Sequence, residues 1–121
     1  MTIKNSRWLR VAVLLLAIIL GLFFALAGLS KIMNPERHVE IFIQWGYPSW
    51  FVYFTGVVEI GGAVLLLVRS LRLFGVAVLG ITMLVATLTH FQAGEIAAVP
   101  VPLTLLFLTG ALGVLERKRS G

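Results

Sequence analysis

The sequence predicts an all-α integral membrane protein, a four-helix bundle with a short amphipathic helix in its first outer loop. Of the 121 residues, 60% are apolar and only 12% are charged, whereas soluble domains are about 45–50% apolar and roughly 25% charged. The apolar residues fall into four runs, each long enough to cross a bilayer. Because a water-soluble fold of this size cannot hide so much apolar surface, we expect the chain to lie in lipid.

The first predicted span covers residues 11–30, directly after a basic N-terminal segment. A signal peptide is the alternative interpretation, because Ala25-Leu26-Ala27-Gly28 resembles a signal-peptidase site. Cleavage there would leave three spans and would no longer fit the distribution of charges. The apolar run is also long for a signal peptide, so we expect the segment to be retained as a helix.

The first outer loop contains a predicted amphipathic helix over residues 35–45. Asn34 is a typical helix cap, Pro35 suits the first helical position, and Glu36 is an acid in the first turn. Gly46-Tyr47-Pro48 ends the segment. Its apolar side consists of Val39, Phe42, Ile43 and Trp45. Two interpretations remain open, a helix that covers the outer mouth of the bundle or a surface helix without that role.

Three further spans follow, at residues 50–68, 71–90 and 100–115, and together with the first they make one domain over residues 1–121. A tight hairpin at residues 69–72 joins the second span to the third. Pro100 is compatible with a helix if it takes the first helical position, where an N–H group has no intrahelical acceptor. Residues 94–99 then form the second outer loop.

The basic residues predict the orientation of the bundle. One side carries eight of the ten, namely Lys4, Arg7, Arg10, Arg69, Arg72, Arg117, Lys118 and Arg119. The other side carries Lys31 and Arg37. The positive-inside rule therefore predicts a multi-pass protein of the plasma (inner) membrane with both termini in the cytoplasm. The basic residues flank the apolar runs rather than forming a stripe, so no nucleic-acid partner is expected.

Glu59 is an acid in the middle of an apolar run, at the depth of the bilayer centre. A charge there costs at least ~2.5–3.5 kcal/mol, and such residues usually mark a ligand site or a proton path. A purely structural hydrogen bond, to Thr55 or to a backbone carbonyl, is the alternative role. Lys31 and His90 lie near the outer boundary, and a direct Glu59–Lys31 bond is left undecided by the sequence.

Several polar and small residues share helix faces with Glu59 or with one another. Thr55, Glu59 and Gly62 lie on one face of the second span, and Thr82, Ala86, Thr89 and His90 on one face of the third. The residues expected to pack helices closely are Gly21, Ala25, Gly28, Gly56 and Gly62. These faces predict a polar pocket in the outer half of the bundle, with the candidate ligand-binding residues Glu59, Thr55, Lys31 and His90. Taken singly, Lys31 is also typical of a snorkelling end residue and His90 of an interfacial histidine.

The sequence assigns no catalytic residue and no metal or cofactor site. Cysteine is absent, which excludes thiolate metal sites, iron–sulfur clusters and CxxC chemistry from this chain. Neither HExxH, nor a Walker motif, nor GxGxxG, nor a Ser–His–Asp pattern occurs. Both histidines, His38 and His90, lie on the outer side, which is a weak signal for haem.

The order and spacing of four short motifs resemble the DoxX-like family of small four-helix membrane proteins, over nearly the whole chain. These motifs are Phe24–Lys31, Trp45-Gly46-Tyr47-Pro48, Thr55–Gly62 and Ala86–His90. Carried over by position, the polar residues of the family would be Lys31, Gly46, Gly56, Glu59, Gly62 and His90. The resemblance implies relatives similar to a subunit of an archaeal thiosulfate:quinone oxidoreductase, others linked to oxidative-stress complexes, and animal relatives that assist receptor assembly.

Three functions from different classes follow from these observations. The first is a binding subunit that takes a quinone or another lipophilic small molecule beside Glu59, with electron transfer left to a partner in a redox-associated complex. The second is a non-catalytic scaffold or assembly factor that grips another membrane protein, or a second copy of itself. The third and least favoured is a transporter, because no inverted repeat or broken mid-helix is evident.

Overall fold

Four long helices and one short helix carry most of the structure, a computed structural model that describes residues 7–120. The helices are α1 (Arg7–Met33), α2 (Glu36–Gln44), α3 (Phe51–Leu67), α4 (Arg72–Gln92) and α5 (Pro100–Ser120). Single turns of 3-10 helix precede α4 (Arg69–Leu71) and α5 (Ile96–Ala98). The described range contains no strand, and the predicted all-α fold is confirmed. Lys4, one of the charges behind the predicted orientation, lies outside the described residues.

The helix ends agree with the predicted spans to within a few residues. Pro100 begins α5, as its missing N–H group requires. The short helix α2 is one residue shorter at each end than predicted. Asn34 contributes to its start through the backbone, where its carbonyl oxygen accepts from the N–H of Arg37 at 3.2 Å.

Most of the long helices have the length and composition of membrane spans. α1, α4 with its preceding turn, and α5 with its preceding turn are each long and apolar enough to cross a bilayer. α3 is equally apolar but has 17 residues, which corresponds to about 25 Å at the α-helical rise. That length is at the short end of the range for spans. The protein is therefore an integral membrane protein with four apolar helices.

The long helices form a closed ring in the order α1, α3, α4, α5. α1 runs antiparallel to α3, and α3 runs antiparallel to α4. Gly21, near the middle of α1, lies against Leu67 at the end of α3. Gly75, near the start of α4, lies against Leu66. Large apolar side chains cover the outside of the ring, among them Leu26, Phe74 and Phe107. Such a surface suits lipid, which is as apolar as the side chains themselves.

α1 and α3 approach most closely at two glycines. A Cβ atom added to Gly28 would lie 2.5 Å from the carbonyl oxygen of Gly56, and one added to Gly56 would lie 2.9 Å from that of Gly28. One turn and a half further along α3, a Cβ on Gly62 would lie 2.6 Å from the Leu79 side chain on α4. The glycines on α3 therefore let both neighbouring helices approach its backbone.

The two ends of the bundle are packed differently. The buried apolar core lies toward the end that carries the chain termini, and its members are Leu9, Val13, Ala17, Leu20, Phe24, Ala63, Leu66, Leu79, Met83 and Leu112. Toward the opposite end, where α2 lies, the helices enclose a cavity instead. This opposite end, which the sequence predicts to be the outer one, contains the candidate site.

Candidate functional site

Glu59 points into the bundle and is bound directly by Lys31. Glu59 is only 4% exposed, so its carboxyl group is shielded from the lipid-facing surface. The Nζ atom of Lys31 donates a hydrogen bond to Oε1 of Glu59 at 2.8 Å. The sequence left this contact undecided because helix rise alone separates the two backbones by roughly 10 Å. In the structure Lys31 lies beside Gly56, only three residues before Glu59 on α3, so the actual separation is smaller and the Lys31 side chain spans it.

The glycine contact between α1 and α3 explains why the two charges meet. Lys31 follows Gly28 by three residues on α1, and Glu59 follows Gly56 by three residues on α3. The Cβ position of Gly56 is 3.2 Å from Cβ of Lys31, and that of Gly28 is 3.1 Å from Cβ of Glu59. The charged residues therefore flank the closest approach of the two helices. A side chain at either glycine would move them apart.

A cavity of about 590 Å³ adjoins this ion pair. That volume is within the range of about 300–1,000 Å³ that is typical of small-molecule sites. Its lining comes from all four long helices and from the α2 region, and most of it is apolar. The polar residues in the lining are Lys31, Tyr47, Thr55, Glu59, Thr82, Thr89 and His90. All four predicted ligand-binding residues thus line one cavity.

All three threonines in the cavity lining donate hydrogen bonds within their own helices. The hydroxyl of Thr55 donates to the carbonyl oxygen of Phe51 at 2.8 Å, and that of Thr82 donates to Val78 at 2.8 Å. Thr55 therefore faces the cavity without donating to Glu59. A hydroxyl oxygen that has donated its proton can still accept from a ligand.

His90 lies at the outer end of the cavity, apart from the Lys31–Glu59 pair. Its Nδ1 atom is 2.8 Å from Oε1 of Glu95 in the α4–α5 loop. The same carboxylate oxygen accepts a hydrogen bond from Nε1 of Trp45 at 3.2 Å. The Trp45 and His90 rings pack edge-on, with their centroids 5.0 Å apart. Glu95 therefore holds the end of α2 and the end of α4 together, and orients the His90 ring beside the cavity.

α2 and the residues after it cover the outer end of the cavity. Phe42 on α2 and Tyr47 after it both contribute to the cavity lining. The Tyr47 hydroxyl is 2.7 Å from that of Thr89. Since Thr89 already donates to the carbonyl oxygen of Val85 at 2.8 Å, Tyr47 must be the donor. Of the two interpretations of this segment, the geometry favours the covering one.

His38 on α2 lies over the end of α1, with Nε2 3.4 Å from the hydroxyl of Ser30. Burial lowers the pKa of His38 from its usual 6.5, and the charges of Lys31 and Arg37 lower it further, while Glu36 acts in the opposite direction. The neutral imidazole is therefore favoured.

A second buried ion pair, which the sequence analysis missed, lies at the opposite end of the bundle. Arg72 donates from Nη1 to Oε1 of Glu116 at 2.8 Å and from Nε to the carbonyl oxygen of Leu66 at 2.7 Å. Arg119 also donates to Glu116. The sequence analysis uses Arg72 and Arg119 only to predict the orientation of the bundle. Glu116 could have indicated a buried ion pair, because it is the one acid in the segments assigned to the basic side.

No three histidine or acidic side chains between residues 7 and 120 come together as metal ligands would.

The sequence analysis also did not predict the outer contacts made by Trp45, Glu95 and Tyr47. Glu95 is the one acid of the second outer loop, which could have indicated a tie to a neighbouring loop. Trp45 and Tyr47 gave no such indication, because aromatic residues at the interface are expected in any membrane protein.

Comparison with known protein families gives a match over most of the chain. A family model described as the DoxX-like family matches residues 15–112, a range that includes Lys31, Glu59 and His90. A Bacillus subtilis (strain 168) protein named "Putative oxidoreductase CatD" is 34% identical over 67 residues, which is 54% of this chain and 50% of that protein. The chain thus spans about half the length of the curated relative that it matches. No solved structure matches the chain.

Proposed function

This chain belongs to the DoxX-like family, and from that premise we propose that it is a membrane-embedded binding subunit for a quinone. In this proposal the quinone, a lipophilic molecule with a polar head, occupies the cavity beside Lys31 and Glu59. Its redox chemistry belongs to a larger membrane complex, in which a partner protein supplies the electrons. The printed name of the Bacillus subtilis relative includes the word oxidoreductase, which supports a redox setting.

The observation that carries the proposal is a buried ion pair on the wall of a mostly apolar cavity. Beside the cavity, this pair offers a ligand both a donor and an acceptor. Lys31 carries three N–H groups, and among the described residues only Glu59 accepts from it.

A quinone fits the distribution of polar groups in this cavity. Its ring has carbonyl oxygens that accept hydrogen bonds. Lys31 and His90 both line the cavity, and both have N–H groups that can donate to such oxygens. Glu59 and His90 can also take up or release protons, which quinone chemistry requires. The apolar remainder of the lining suits the hydrocarbon part of the molecule.

The cavity is also reachable from the lipid. Several residues in its lining are exposed on the outer surface of α3 and α4, namely Phe54, Ile81 and Val85. A ligand dissolved in the bilayer would therefore reach Glu59 between these two helices without crossing the covering segment.

We place the protein in the plasma membrane with both termini in the cytoplasm, because most of the basic residues lie at the end away from the cavity.

The proposal is tested by titrating the protein in lipid nanodiscs with short-tailed ubiquinone and menaquinone analogues. Trp45 contacts His90 at the cavity, so its fluorescence reports binding once Trp8 and Trp50 are replaced by phenylalanine. We expect saturable quenching in this single-tryptophan protein. Lys31→Met and Glu59→Gln should each weaken binding by about tenfold or more, since a hydrogen bond to a charged group is worth about 1.5–3 kcal/mol.

Glu116→Gln is the matched control, because it removes the other buried, ion-paired acid at the end of the bundle away from the cavity. Its quinone affinity should equal that of the parent protein. Quenching that never saturates would contradict the proposal. So would an equal loss of affinity in Glu116→Gln, which would mean that weaker folding, and not the site, explains the effect.

A further inference from the structure

A second cavity, of about 630 Å³, lies at the basic end of the bundle, between the α3–α4 turn and the end of α5. It differs in character from the quinone cavity because much of its lining is polar or charged. Arg69 and Ser70 contribute from the turn, and Glu116, Arg119 and Ser120 from α5. No part of the proposed quinone site is shared with it.

Positive charge exceeds negative charge around this cavity. Glu116 already accepts hydrogen bonds from two guanidinium groups, those of Arg72 and Arg119. No carboxylate in residues 7–120 lies within ion-pair distance of Arg69. The guanidinium of Arg69 is therefore left to attract an anion, and Arg119 shares its own charge with a carboxylate that Arg72 also neutralises.

One polar atom in the wall of this cavity is buried and has no partner. The Arg119 side chain is 9% exposed, and its Nε atom makes no hydrogen bond with any described residue. A buried N–H of a charged group that is left unsatisfied is costly, and native proteins rarely keep one. A shift of the Arg119 side chain would bring this N–H group to the cavity, where an oxygen atom of a ligand would satisfy it.

The start of α4 adds a further feature that favours an anion. α4 begins at Arg72 and has 21 residues, and no side chain caps its first turn. Ser70 before that turn and Leu73 within it both line the cavity. The N-terminus of α4 and the positive end of its helix dipole therefore lie at the same cavity as the two arginines.

We propose that this cavity binds a phosphate oxyanion through the guanidinium groups of Arg69 and Arg119 and the hydroxyl of Ser70. Arginine forks match the oxygens of phosphate, and helix N-termini bind the same group. An anionic phospholipid headgroup and a free phosphate share this chemistry. The lining also includes the exposed apolar residues Val68 and Leu73, which provides a surface that acyl chains can cover and favours the lipid.

The test measures binding of dioleoyl phosphatidylglycerol, dioleoyl phosphatidylcholine and inorganic phosphate to the full chain in detergent, by native mass spectrometry and by the shift in Tm. We expect one phosphatidylglycerol to bind in preference to phosphatidylcholine. Arg69→Gln should weaken that binding by about tenfold or more. Arg119→Lys keeps the charge but removes the Nε donor, and should weaken it as well.

Arg117→Gln is the matched control, since it removes the same charge from an exposed neighbour that does not line the cavity. Its affinity for phosphatidylglycerol should stay within about twofold of the parent, because surface charges contribute little.

If inorganic phosphate competes with the lipid at equal concentration, the anion site holds and its natural ligand is soluble. Equal binding of the two lipids by the parent protein, or equal losses in Arg69→Gln and Arg117→Gln, would overturn the proposal. Arg69 makes no ion pair with any residue in 7–120, so its variant tests the site even if Arg119→Lys fails to fold.

Discussion

At the scale of single residues, the Lys31–Glu59 pair is the feature on which the site depends. A lone charge at this depth costs at least ~2.5–3.5 kcal/mol, and each partner removes that cost for the other. The pair is well buried, with side chains 15% and 5% exposed. Neutralisation by a direct partner is therefore what allows an acid to sit in the middle of α3.

Removing one partner should cost more than removing both. Lys31→Met leaves the Glu59 carboxylate buried without compensation, and we expect the free energy of unfolding to fall by about 3–5 kcal/mol. The double variant Lys31→Met/Glu59→Leu should recover most of that loss. Unfolding in detergent measures both values. A double variant as unstable as Lys31→Met would show that the pair contributes through packing and not through charge.

The pKa of His38 makes a distinct prediction about pH. Burial, then Lys31 and Arg37, lower this pKa below 6.5 in the folded protein. Between the folded pKa and 6.5 the unfolded chain binds more protons than the folded chain, so the free energy of unfolding rises with pH. The stability due to neutral His38 is thus complete above the unfolded pKa and is lost as pH falls through the folded one.

His38→Asn should reduce this loss of stability. The measurement is Tm between about pH 7.5 and pH 5, a window that includes the ordinary titration of histidine. We expect the Tm of the parent protein to fall more steeply with acid than that of the variant. Glu40→Gln, an exposed change on the same helix, should follow the parent. Identical slopes in the parent and His38→Asn would contradict the assignment.

At the scale of helices, the contact of α1 with α3 positions the site. The two glycines at the crossing bring the backbones together, and the charged residues one turn further on meet as a result. α2 then covers the outer end, held by the bond of Tyr47 to Thr89 and by the shared carboxylate of Glu95. The covering segment depends on polar bonds, whereas the crossing depends on the absence of side chains.

Gly28→Ala should therefore destabilise the protein, and Gly61→Ala should not. A methyl group on Gly28 meets the Gly56 carbonyl at 2.5 Å and Ile60 at 2.8 Å, whereas one on Gly61 meets nothing within 4 Å. Overpacking of this kind typically costs about 1–3 kcal/mol, while alanine at an open helical site gains up to about 1 kcal/mol over glycine. Thermal unfolding of both variants measures the difference. Equal stability would mean that α1 moves aside freely at the crossing.

At the scale of the whole molecule, each end of the bundle has a cavity, and the end with the termini also holds the buried apolar core. The buried apolar core and the Arg72–Glu116 pair occupy the end with the termini, and the cavity occupies the end beneath α2. The packed core keeps the four helices together. The proposed quinone site and the proposed phosphate site lie at opposite ends of the bundle.

The orientation of the bundle can be tested directly, since the chain has no cysteine of its own. Ser70 and Ala93 are exposed in the turns at opposite ends of α4. On intact cells, a membrane-impermeant maleimide should label Ala93→Cys and should label Ser70→Cys only after permeabilisation. The reverse pattern would place the termini outside and move the quinone site to the cytoplasmic half.

The sequence by itself determined the class of the protein and the list of residues worth inspecting. Hydropathy, charge and helix breakers are local properties, so the apolar helices, the start of α5 at Pro100 and the outer amphipathic helix were all predictable. Glu59 stood out because a charge in an apolar run is conspicuous in any arrangement. Lys31, Thr55 and His90 followed from shared helix faces.

Only the tertiary structure decided which of these residues meet. The bond between Lys31 and Glu59 depends on how closely two helices approach, and the tie of Trp45 and His90 to Glu95 depends on where two loops lie in space. The burial of Arg72 and Arg119 against Glu116 has the same cause. Charge counting cannot distinguish an arginine in water from one folded back between helices, because burial is a property of the neighbours and not of the residue.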